Sequence, residues 1–277
     1  MCSILLVDNG SRRPEATLRL RRIAAALGQR IGRQVAPVSL LHASTIPAAS
    51  LNGRIAETFE SFLRRHSAEG HRRFIVVPLF FGPSRALTEF IPERIRAVAA
   101  DSGPLDVRVA DALCPLPSGE QRLVDILIDN AAAAGTRCDH VVLVDHGSPL
   151  PAVTAVRSWL AEQMAARLGT NALLSEAVME RRTGARYDFN GPLLEEALLD
   201  LASRSPSARV NLAMQFILPG RHAGPEGDVA QICATVMAKC SGFQVRQSPL
   251  VGDHPGLIDI LQSRVLSAIE AADVKDH

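Results

Sequence analysis

The chain has 277 residues, 47% of them hydrophobic, so it can bury a sizeable core, and its length suits two domains of ordinary size. Its 30 basic and 29 acidic residues give a formal net charge of +1, which provides no global attraction to nucleic acid or to a membrane surface. No apolar segment approaches the roughly 20 residues that are needed to cross a bilayer.

The N-terminus and the cysteines indicate a cytoplasmic protein. The apolar stretch from Met1 to Asp8 has neither a charged region nor a cleavage site, so it predicts a buried strand and not a signal peptide. The five cysteines are odd in number and include no Cys-x-x-Cys spacing. This argues against a disulfide framework, a structural zinc site and an iron–sulfur cluster. We therefore expect a cytoplasmic location, with no nucleic-acid or membrane partner.

Short runs rich in Val, Ile and Leu alternate with longer segments of helical periodicity, and this alternation predicts an α/β fold. In the first half, the predicted strands are Ser3–Asp8, Phe74–Phe81 and Val107–Leu113, and the predicted helices are Pro14–Gly28, Pro92–Ala100 and Glu120–Ala134. In the second half, the predicted strands are Val141–Asp145, Ala172–Met179, Val210–Leu218 and Phe243–Pro249, and the predicted helices are Ala152–Leu168, Pro192–Ser203, Asp228–Cys240 and Gly256–Ala271. Strands that alternate with helices imply parallel sheets covered on both faces.

The second half of the chain repeats the first. Residues 5–11, Leu-Leu-Val-Asp-Asn-Gly-Ser, match residues 142–148, Val-Leu-Val-Asp-His-Gly-Ser. Residues 80–86 match 216–222 loosely, and residues 123–127 match 257–261. Three matches in the same order, at nearly one offset, predict two similar domains. We place their boundary near residues 135–139, which gives domains of residues 1–136 and 137–277.

Candidate functional residues follow the predicted strands of the second half, because ligands of open parallel sheets bind beyond the carboxyl ends of the strands. His146 follows the first of these strands, Glu180 the second and His222 the third. Two imidazoles and a carboxylate suit a borderline divalent metal and can also accept protons. Each residue has an ordinary alternative as a solvated side chain, and Ser148 can simply cap a helix.

Five motifs of the second half carry a more specific signal. They are Val-Asp-His-Gly-Ser (144–148), Met-Glu-Arg-Arg (179–182), Tyr-Asp-Phe-Asn (187–190), Leu-Pro-Gly-Arg-His (218–222) and Gly-Asp-His-Pro (252–255). Together they resemble the sirohydrochlorin chelatase family, the class II tetrapyrrole chelatases, and the first half follows the same template. The resemblance implies two flavodoxin-like domains with an active-site cleft between them. It also implies that His146, Glu180 and His222 lie near the inserted metal as ligands and catalytic groups.

The implied reaction is the insertion of a divalent metal into sirohydrochlorin by a metal chelatase, a lyase. We expect Fe²⁺, which gives siroheme, with Co²⁺ accepted, and no cofactor beyond this substrate metal. An imidazole can take a pyrrole proton or hold the incoming metal. Because the macrocycle carries carboxylates that arginine can bind bidentately, we expect Ser148, Arg181 and Arg221 to bind substrate. Further candidates at predicted strand ends are Arg12, Arg13, Arg85 and Arg182.

The first half departs from the family pattern at the positions that matter for metal binding. Asn9 stands where the first histidine would be, Ala86 stands where the second would be, and His42 is expected at the acidic position. We therefore place the metal site on the second domain and expect the first domain to act as a wall of the cleft.

Other functions remain open at this point. The same residues would serve a cobalt chelatase of cobalamin biosynthesis, and the sequence does not decide among iron, cobalt and nickel. The lost first-half residues are also compatible with a non-catalytic tetrapyrrole-binding protein. A hydrolase that uses Ser148 with His146 is disfavoured because no Gly-x-Ser-x-Gly elbow is present. No Gly-x-Gly-x-x-Gly motif follows a strand, which disfavours a dinucleotide-binding domain.

Overall fold

Two four-stranded parallel sheets, each flanked by helices, form the computed structural model, which describes residues 2–135, 137–170 and 172–273. The strands are β1 (Cys2–Asp8), β2 (Val35–Ser39), β3 (Arg73–Pro78), β4 (Asp106–Val109), β5 (His140–Asp145), β6 (Leu173–Val178), β7 (Arg209–Met214) and β8 (Gln244–Gln247). The helices are α1 (Pro14–Ile31), α2 (Phe59–Ala68), α3 (Ile91–Ser102), α4 (Gln121–Ala134), α5 (Pro151–Leu168), α6 (Leu194–Arg204), α7 (Asp228–Lys239) and α8 (Gly256–Asp273). None of the described helices is long and apolar enough to span a membrane.

Both sheets have the same topology. Their strand orders are β2-β1-β3-β4 and β6-β5-β7-β8, and every neighbouring pair is parallel. This is the flavodoxin-like order over its first four strands. The inner strands are continuous apolar runs: residues 4–7 and 141–144 are at most 2% exposed, as expected for strands covered on both faces. The predicted pair of similar α/β domains is therefore confirmed.

Two elements of the first unit, β2 and α2, were not predicted from the sequence. Pro37 lies in the middle of β2 and cannot donate a ladder hydrogen bond, so the segment reads poorly as a strand. The structure tolerates Pro37 because β2 is the edge strand of its sheet, and β1 is the only described strand that pairs with it. Helix α2 begins after Thr58, whose hydroxyl accepts from the Ser61 N–H, and it buries Phe59 and Phe62 on one face.

Several strands end earlier than their apolar runs predict. The run Val210–Leu218 is a strand only as far as Met214, and the run Val107–Leu113 only as far as Val109. The remaining apolar residues line the loops beyond the carboxyl ends of the strands, where the candidate site lies. The apolar run in the sequence therefore covers the strand and also the first residues of the loop that follows it.

The chain divides into two compact units that do not coincide with the sequence repeats. The first unit runs to Pro115 and includes residues 258–273, and the second unit comprises residues 116–257. Helix α4 therefore belongs with the second sheet, and α8 with the first. In the first unit, the Arg264 guanidinium donates to the carbonyl oxygens of Ala112 and Leu113 at 2.9 and 3.0 Å. The predicted boundary near residues 135–139 describes the repeats and not these packing units.

Both central strands end in a buried aspartate, but among the described residues a cation lies beside only one of them. In the second unit, Arg157 NH1 lies 2.8 Å from Asp145 Oδ1. The corresponding position of α1, also the seventh residue of a helix that begins with proline, is the buried Leu20. Burial raises the pKa of Asp8 to about 6, against hydrogen bonds from Ser39 and the Gly10 N–H that lower it. The Oδ1 atom of Asp8 has no hydrogen-bond partner among the described residues.

Asp8 holds its proton more tightly in the folded protein than in the unfolded chain, where the pKa of its carboxyl is near 3.8. The stability that this protonated form provides is lost as the pH rises through about 6. We predict that Asp8→Asn raises the free energy of unfolding by up to about 3 kcal/mol well above that pH, because each pKa unit corresponds to about 1.4 kcal/mol. The gain should vanish well below pH 3.8.

Urea denaturation of the wild type and of Asp8→Asn, well above pH 6 and well below pH 3.8, measures the difference in the free energy of unfolding. Asp111→Asn is a suitable control, because Asp111 is exposed and takes part in none of the described ion pairs. An equal effect of Asp8→Asn at both pH values would contradict the prediction.

Candidate functional site

Three loops at the carboxyl edge of the second sheet bring together the candidate residues. His146 follows β5, Glu180 follows β6, and His222 lies in the loop after β7. The Glu180 carboxylate lies between the imidazoles, 4.0 Å from His146 Nε2 and 3.5 Å from His222 Nε2. The two rings are nearly perpendicular, with centroids 4.7 Å apart. One ligand atom from each residue lies within 4.8 Å of the others, so a single ion can reach all three.

A glycine allows the first two loops to approach each other. The Glu180 N–H donates to the His146 carbonyl oxygen at 2.9 Å, which extends the pairing of β5 and β6 beyond the strands. Gly147 has φ +87°, and a Cβ atom there would lie 2.0 Å from the Glu180 carbonyl oxygen. A larger residue would therefore push the Glu180 backbone away from His146. The His-Gly-Ser motif needs its glycine for this reason.

His146 presents its Nε2 atom to the site. Its Nδ1 atom lies 3.0 Å from the Gly147 carbonyl oxygen, so the proton of the neutral ring belongs on Nδ1. This leaves the Nε2 lone pair directed toward Glu180. The side chain is 58% exposed, so water and small ions can reach it.

His222 is buried and adjoins a second carboxylate. Its Nδ1 atom lies 2.9 Å from Asp228 Oδ2, a short contact that lacks the alignment of a hydrogen bond. Burial, and then the nearby His146, lower the pKa of His222, whereas Glu180 and Asp228 raise it. Because the net direction is downward, the ring is neutral near neutral pH, the form that binds a metal. Asp228 faces Nδ1 and leaves Nε2 on the side of Glu180, as the carboxylate behind a metal-binding histidine does.

A buried polar network supports the loop that carries His146. The Arg157 side chain is 2% exposed, and its guanidinium donates to Asp145 Oδ1, Glu176 Oε2 and the Asn190 carbonyl oxygen. The Asn190 side chain accepts from the Ser148 N–H at 3.0 Å and donates to the Ser148 carbonyl oxygen at 2.9 Å. These contacts hold Asp145 before Gly147 and Ser148 after it, so the backbone on both sides of the glycine is fixed.

The predicted substrate-binding residues lie around this cluster and differ in their exposure and in the contacts they make. Arg221 is 75% exposed, 3.5 Å from Glu180 and 3.3 Å from Asp228. The Ser148 hydroxyl accepts from the Leu150 N–H at 3.1 Å in the turn before α5, but it does not cap this helix, whose N-cap residue is Leu150.

The remaining candidate arginines are mostly engaged. Arg181 donates to the Gly191 carbonyl oxygen at 2.9 Å, and Arg182 lies over the Tyr187 ring. Arg85 forms an ion pair with Glu89 at 2.8 Å. Arg12 and Arg13 are exposed in the loop after β1.

The corresponding edge of the first sheet has no metal-binding side chain at the three equivalent positions. The Leu41 N–H donates to the Asn9 carbonyl oxygen at 3.1 Å, as Glu180 does to His146, so Leu41 is the equivalent of Glu180. The expectation that His42 occupies the acidic position was therefore wrong. The segment between the first two strands is slightly shorter in the first half, so the sequence offset did not carry over. Asn9, Leu41 and Ala86 replace the His, Glu and His set.

Sequence reasoning missed three residues that support the site. Asp228 had a signal, because an acidic residue at the start of a predicted helix can face its neighbouring loop. Asn190 lies within the Tyr-Asp-Phe-Asn motif, although its contact with Ser148 was not foreseen. Arg157 had only a weak signal, as a charge on the buried face of α5.

Comparisons with known proteins were made for the whole chain. A family model named CbiX matches residues 3–132 and again residues 140–268. No curated protein matches the chain in sequence.

Solved structures of chelatases share the fold of this chain. SirB from Bacillus subtilis with Fe³⁺ has 17% identity and a TM-score of 0.73, over 96% of this chain and 95% of that chain. The sirohydrochlorin chelatase SirB from Bacillus subtilis subspecies spizizenii in complex with cobalt has 15% identity and a TM-score of 0.69, over 97% and 95%. CbiX, the terminal enzyme for siroheme biosynthesis in denitrifying bacteria, has 16% identity and a TM-score of 0.57, over 96% and 99%. At these identities the likeness concerns the fold.

We predict that Asp228→Asn lowers the pKa of His222 further, because the Asp228 carboxylate is one of the groups that raise it. The imidazole proton resonances of His222, followed by NMR as the pH is changed, measure this shift. His146, on the other side of the cluster, serves as an internal comparison. An unchanged or raised His222 pKa in the variant would show that Asp228 does not act on this ring.

Proposed function

Because this chain belongs to the CbiX family, we propose that it is a metal chelatase, which inserts a divalent metal ion into sirohydrochlorin. The family membership confirms the resemblance that the motifs predicted. The observation that carries the proposal is the cluster of His146, Glu180 and His222, whose ligand atoms lie within 4.8 Å of one another. Fe²⁺, with siroheme as the product, is our first choice of metal, since one similar structure is named as the terminal enzyme of siroheme biosynthesis.

The cluster suits a metal that must be held briefly and then released. Two neutral Nε2 atoms and one carboxylate oxygen are a ligand set for borderline ions such as Fe²⁺ and Co²⁺. Three protein ligands leave other coordination positions to water or to the incoming macrocycle nitrogens. The exposed His146 and the half-exposed Glu180 can withdraw as these nitrogens take over, whereas the buried His222 stays fixed.

The same residues can take up the protons that insertion releases. Entry of one divalent ion displaces two N–H protons from the macrocycle, so the charge balances. His146 Nε2 can accept a proton once the metal has left it, and its exposure allows the proton to pass to solvent. The Glu180 carboxylate lies beside both imidazoles and can relay a proton between them.

The peripheral carboxylates of the substrate call for cationic and hydroxyl groups around the cluster. Arg221 is the strongest candidate, because its guanidinium is 75% exposed and lies beside the metal-binding residues. Arg181 keeps N–H groups beyond the one that donates to Gly191. The Ser148 hydroxyl accepts one hydrogen bond and can donate its own proton to a carboxylate.

Cobalt insertion is the second candidate. One similar structure is a sirohydrochlorin chelatase in complex with cobalt, and the ligand set here suits Co²⁺ equally well. Parallel assays with each metal alone, under anaerobic conditions, would separate the two activities.

The proposal predicts a sharp asymmetry between the two halves. His146→Ala and His222→Ala should each slow metal insertion by at least about 100-fold, the loss typical of a positioned proton acceptor. Glu180→Gln should slow it less, since water can replace the carboxylate in proton transfer. Asn9→Ala and Ala86→Ser are the matched controls at the equivalent positions of the first half, and they should change the rate little.

Single-turnover insertion into sirohydrochlorin, followed by its absorption spectrum, measures these rates, and circular dichroism checks folding. An Asn9→Ala variant as slow as His146→Ala would mean that the site needs the first half. A wild-type protein that binds sirohydrochlorin but turns over with neither metal would be a tetrapyrrole-binding protein.

A further inference from the structure

We propose that the first unit carries a second site for a divalent transition-metal ion, formed by His66, Glu69 and His71. These residues lie at the C-terminal end of α2 and in the turn before β3. The site shares no residue with the candidate site of the second sheet, and it goes beyond the metal insertion proposed above.

The three side chains converge as closely as those of the candidate site. His66 Nδ1 lies 3.3 Å from Glu69 Oε2, and the rings of His66 and His71 are nearly perpendicular, with centroids 5.1 Å apart. One ligand atom from each residue lies within 4.8 Å of the others. Among the residues that the structure describes, only this group and the candidate site place three potential ligands so close together.

The chain turns back at the end of α2 and places His71 beside His66. Gly70 has φ +88°, a left-handed conformation that reverses the chain directly after the helix. The His71 N–H then donates to the His66 carbonyl oxygen at 2.9 Å, and the Gly70 N–H donates to that of Ser67 at 3.1 Å. These two bonds are typical of a helix C-terminus closed by glycine. The backbone, and not an exposed flexible loop, therefore sets the spacing of the two rings.

His66 offers a nitrogen that the folded chain leaves without a hydrogen bond. Its Nδ1 atom is buried and has no hydrogen-bond partner among the described residues, and it faces the Glu69 carboxylate. A metal ion between them would satisfy both groups. The only cation that competes for Glu69 in the described ion pairs is Arg65, at 3.5 Å. Arg65 is already held by two hydrogen bonds to Glu57, at 3.0 and 2.9 Å, so Glu69 remains available.

A cavity beside the cluster gives room to complete the coordination. It measures about 360 Å³, and Cys2, Phe62, His66 and His71 are among its lining residues. Cys2 begins β1, so the cavity lies at the amino ends of the strands, opposite the edge where ligands of parallel sheets normally bind. Three protein ligands with water in the remaining positions are common at zinc sites that stay open to small molecules.

The ligand types define the class of ion. Two imidazole nitrogens and one carboxylate favour Zn²⁺, Co²⁺, Ni²⁺ or Cu²⁺ over Mg²⁺ and Ca²⁺, which prefer oxygen ligands. The Co²⁺ ion is a convenient probe because its visible absorption reports its ligands.

The test measures binding of Co²⁺ alone to the full chain by equilibrium dialysis near neutral pH. The background is the His146→Ala/His222→Ala variant, in which the candidate site is removed, so that the result does not depend on metal insertion. We expect this variant to bind one Co²⁺ ion per chain. Adding His66→Ala and His71→Ala should weaken binding by at least about 100-fold, since loss of even an outer-shell partner costs 10–100-fold.

Two single variants keep the test decisive if the combined variant folds poorly. Glu69→Gln preserves the size of the side chain and should weaken Co²⁺ binding, whereas Glu60→Gln, on the first turn of the same helix, should not. Unchanged binding after Glu69→Gln together with unchanged binding after the histidine substitutions would overturn the proposal. So would the absence of bound Co²⁺ in the His146→Ala/His222→Ala background.

Discussion

The buried guanidinium of Arg157 donates to Asp145, to Glu176 and to the Asn190 carbonyl oxygen, at 2.8, 2.9 and 2.6 Å. Removal of one partner from a buried charge pair typically costs about 3–5 kcal/mol, because the other charge is left uncompensated. The network therefore ties the end of β5 to β6 and to the turn at Asn190. The His146 loop follows β5 and the Glu180 loop follows β6, so the network holds the strands from which both loops begin.

The first unit keeps the fold and lacks this arrangement. Its equivalent helix position is Leu20, and Asp8 is buried with no cationic partner in the part of the chain that the structure describes. The three strand-end positions that carry ligands in the second unit hold Asn9, Leu41 and Ala86 instead. Strand order and core packing are thus independent of the chemistry at the sheet edge, which is why a fold alone does not define a function. The supporting network and the candidate ligand residues occur together in the second unit.

Part of this was predictable from sequence. The apolar runs before His146, Glu180 and His222 predict parallel strands, and the geometry of parallel sheets then brings their loops together. Strand β2 was not predicted because it contains Pro37, which is tolerated only in an edge strand. The local sequence does not show whether a strand lies at the edge of its sheet. The exchange of α4 and α8 between the compact units depends on packing, which sequence order does not reveal. The sequence offset between the repeats pointed to His42 as the equivalent of Glu180, one residue too far along the chain. The hydrogen-bond register between the strands, and not the sequence offset, shows that Leu41 is the equivalent residue.

The central proposal is that the second unit alone holds the substrate metal, at the carboxyl edge of its sheet. Anomalous X-ray diffraction from crystals soaked with Co²⁺ tests it directly, because the signal locates the ion itself. The account predicts an anomalous peak about 2.1 Å from both His146 Nε2 and His222 Nε2, the usual distance from an imidazole nitrogen to a divalent ion. A peak beside Asn9 at the edge of the first sheet, or none at His146 and His222, would contradict it.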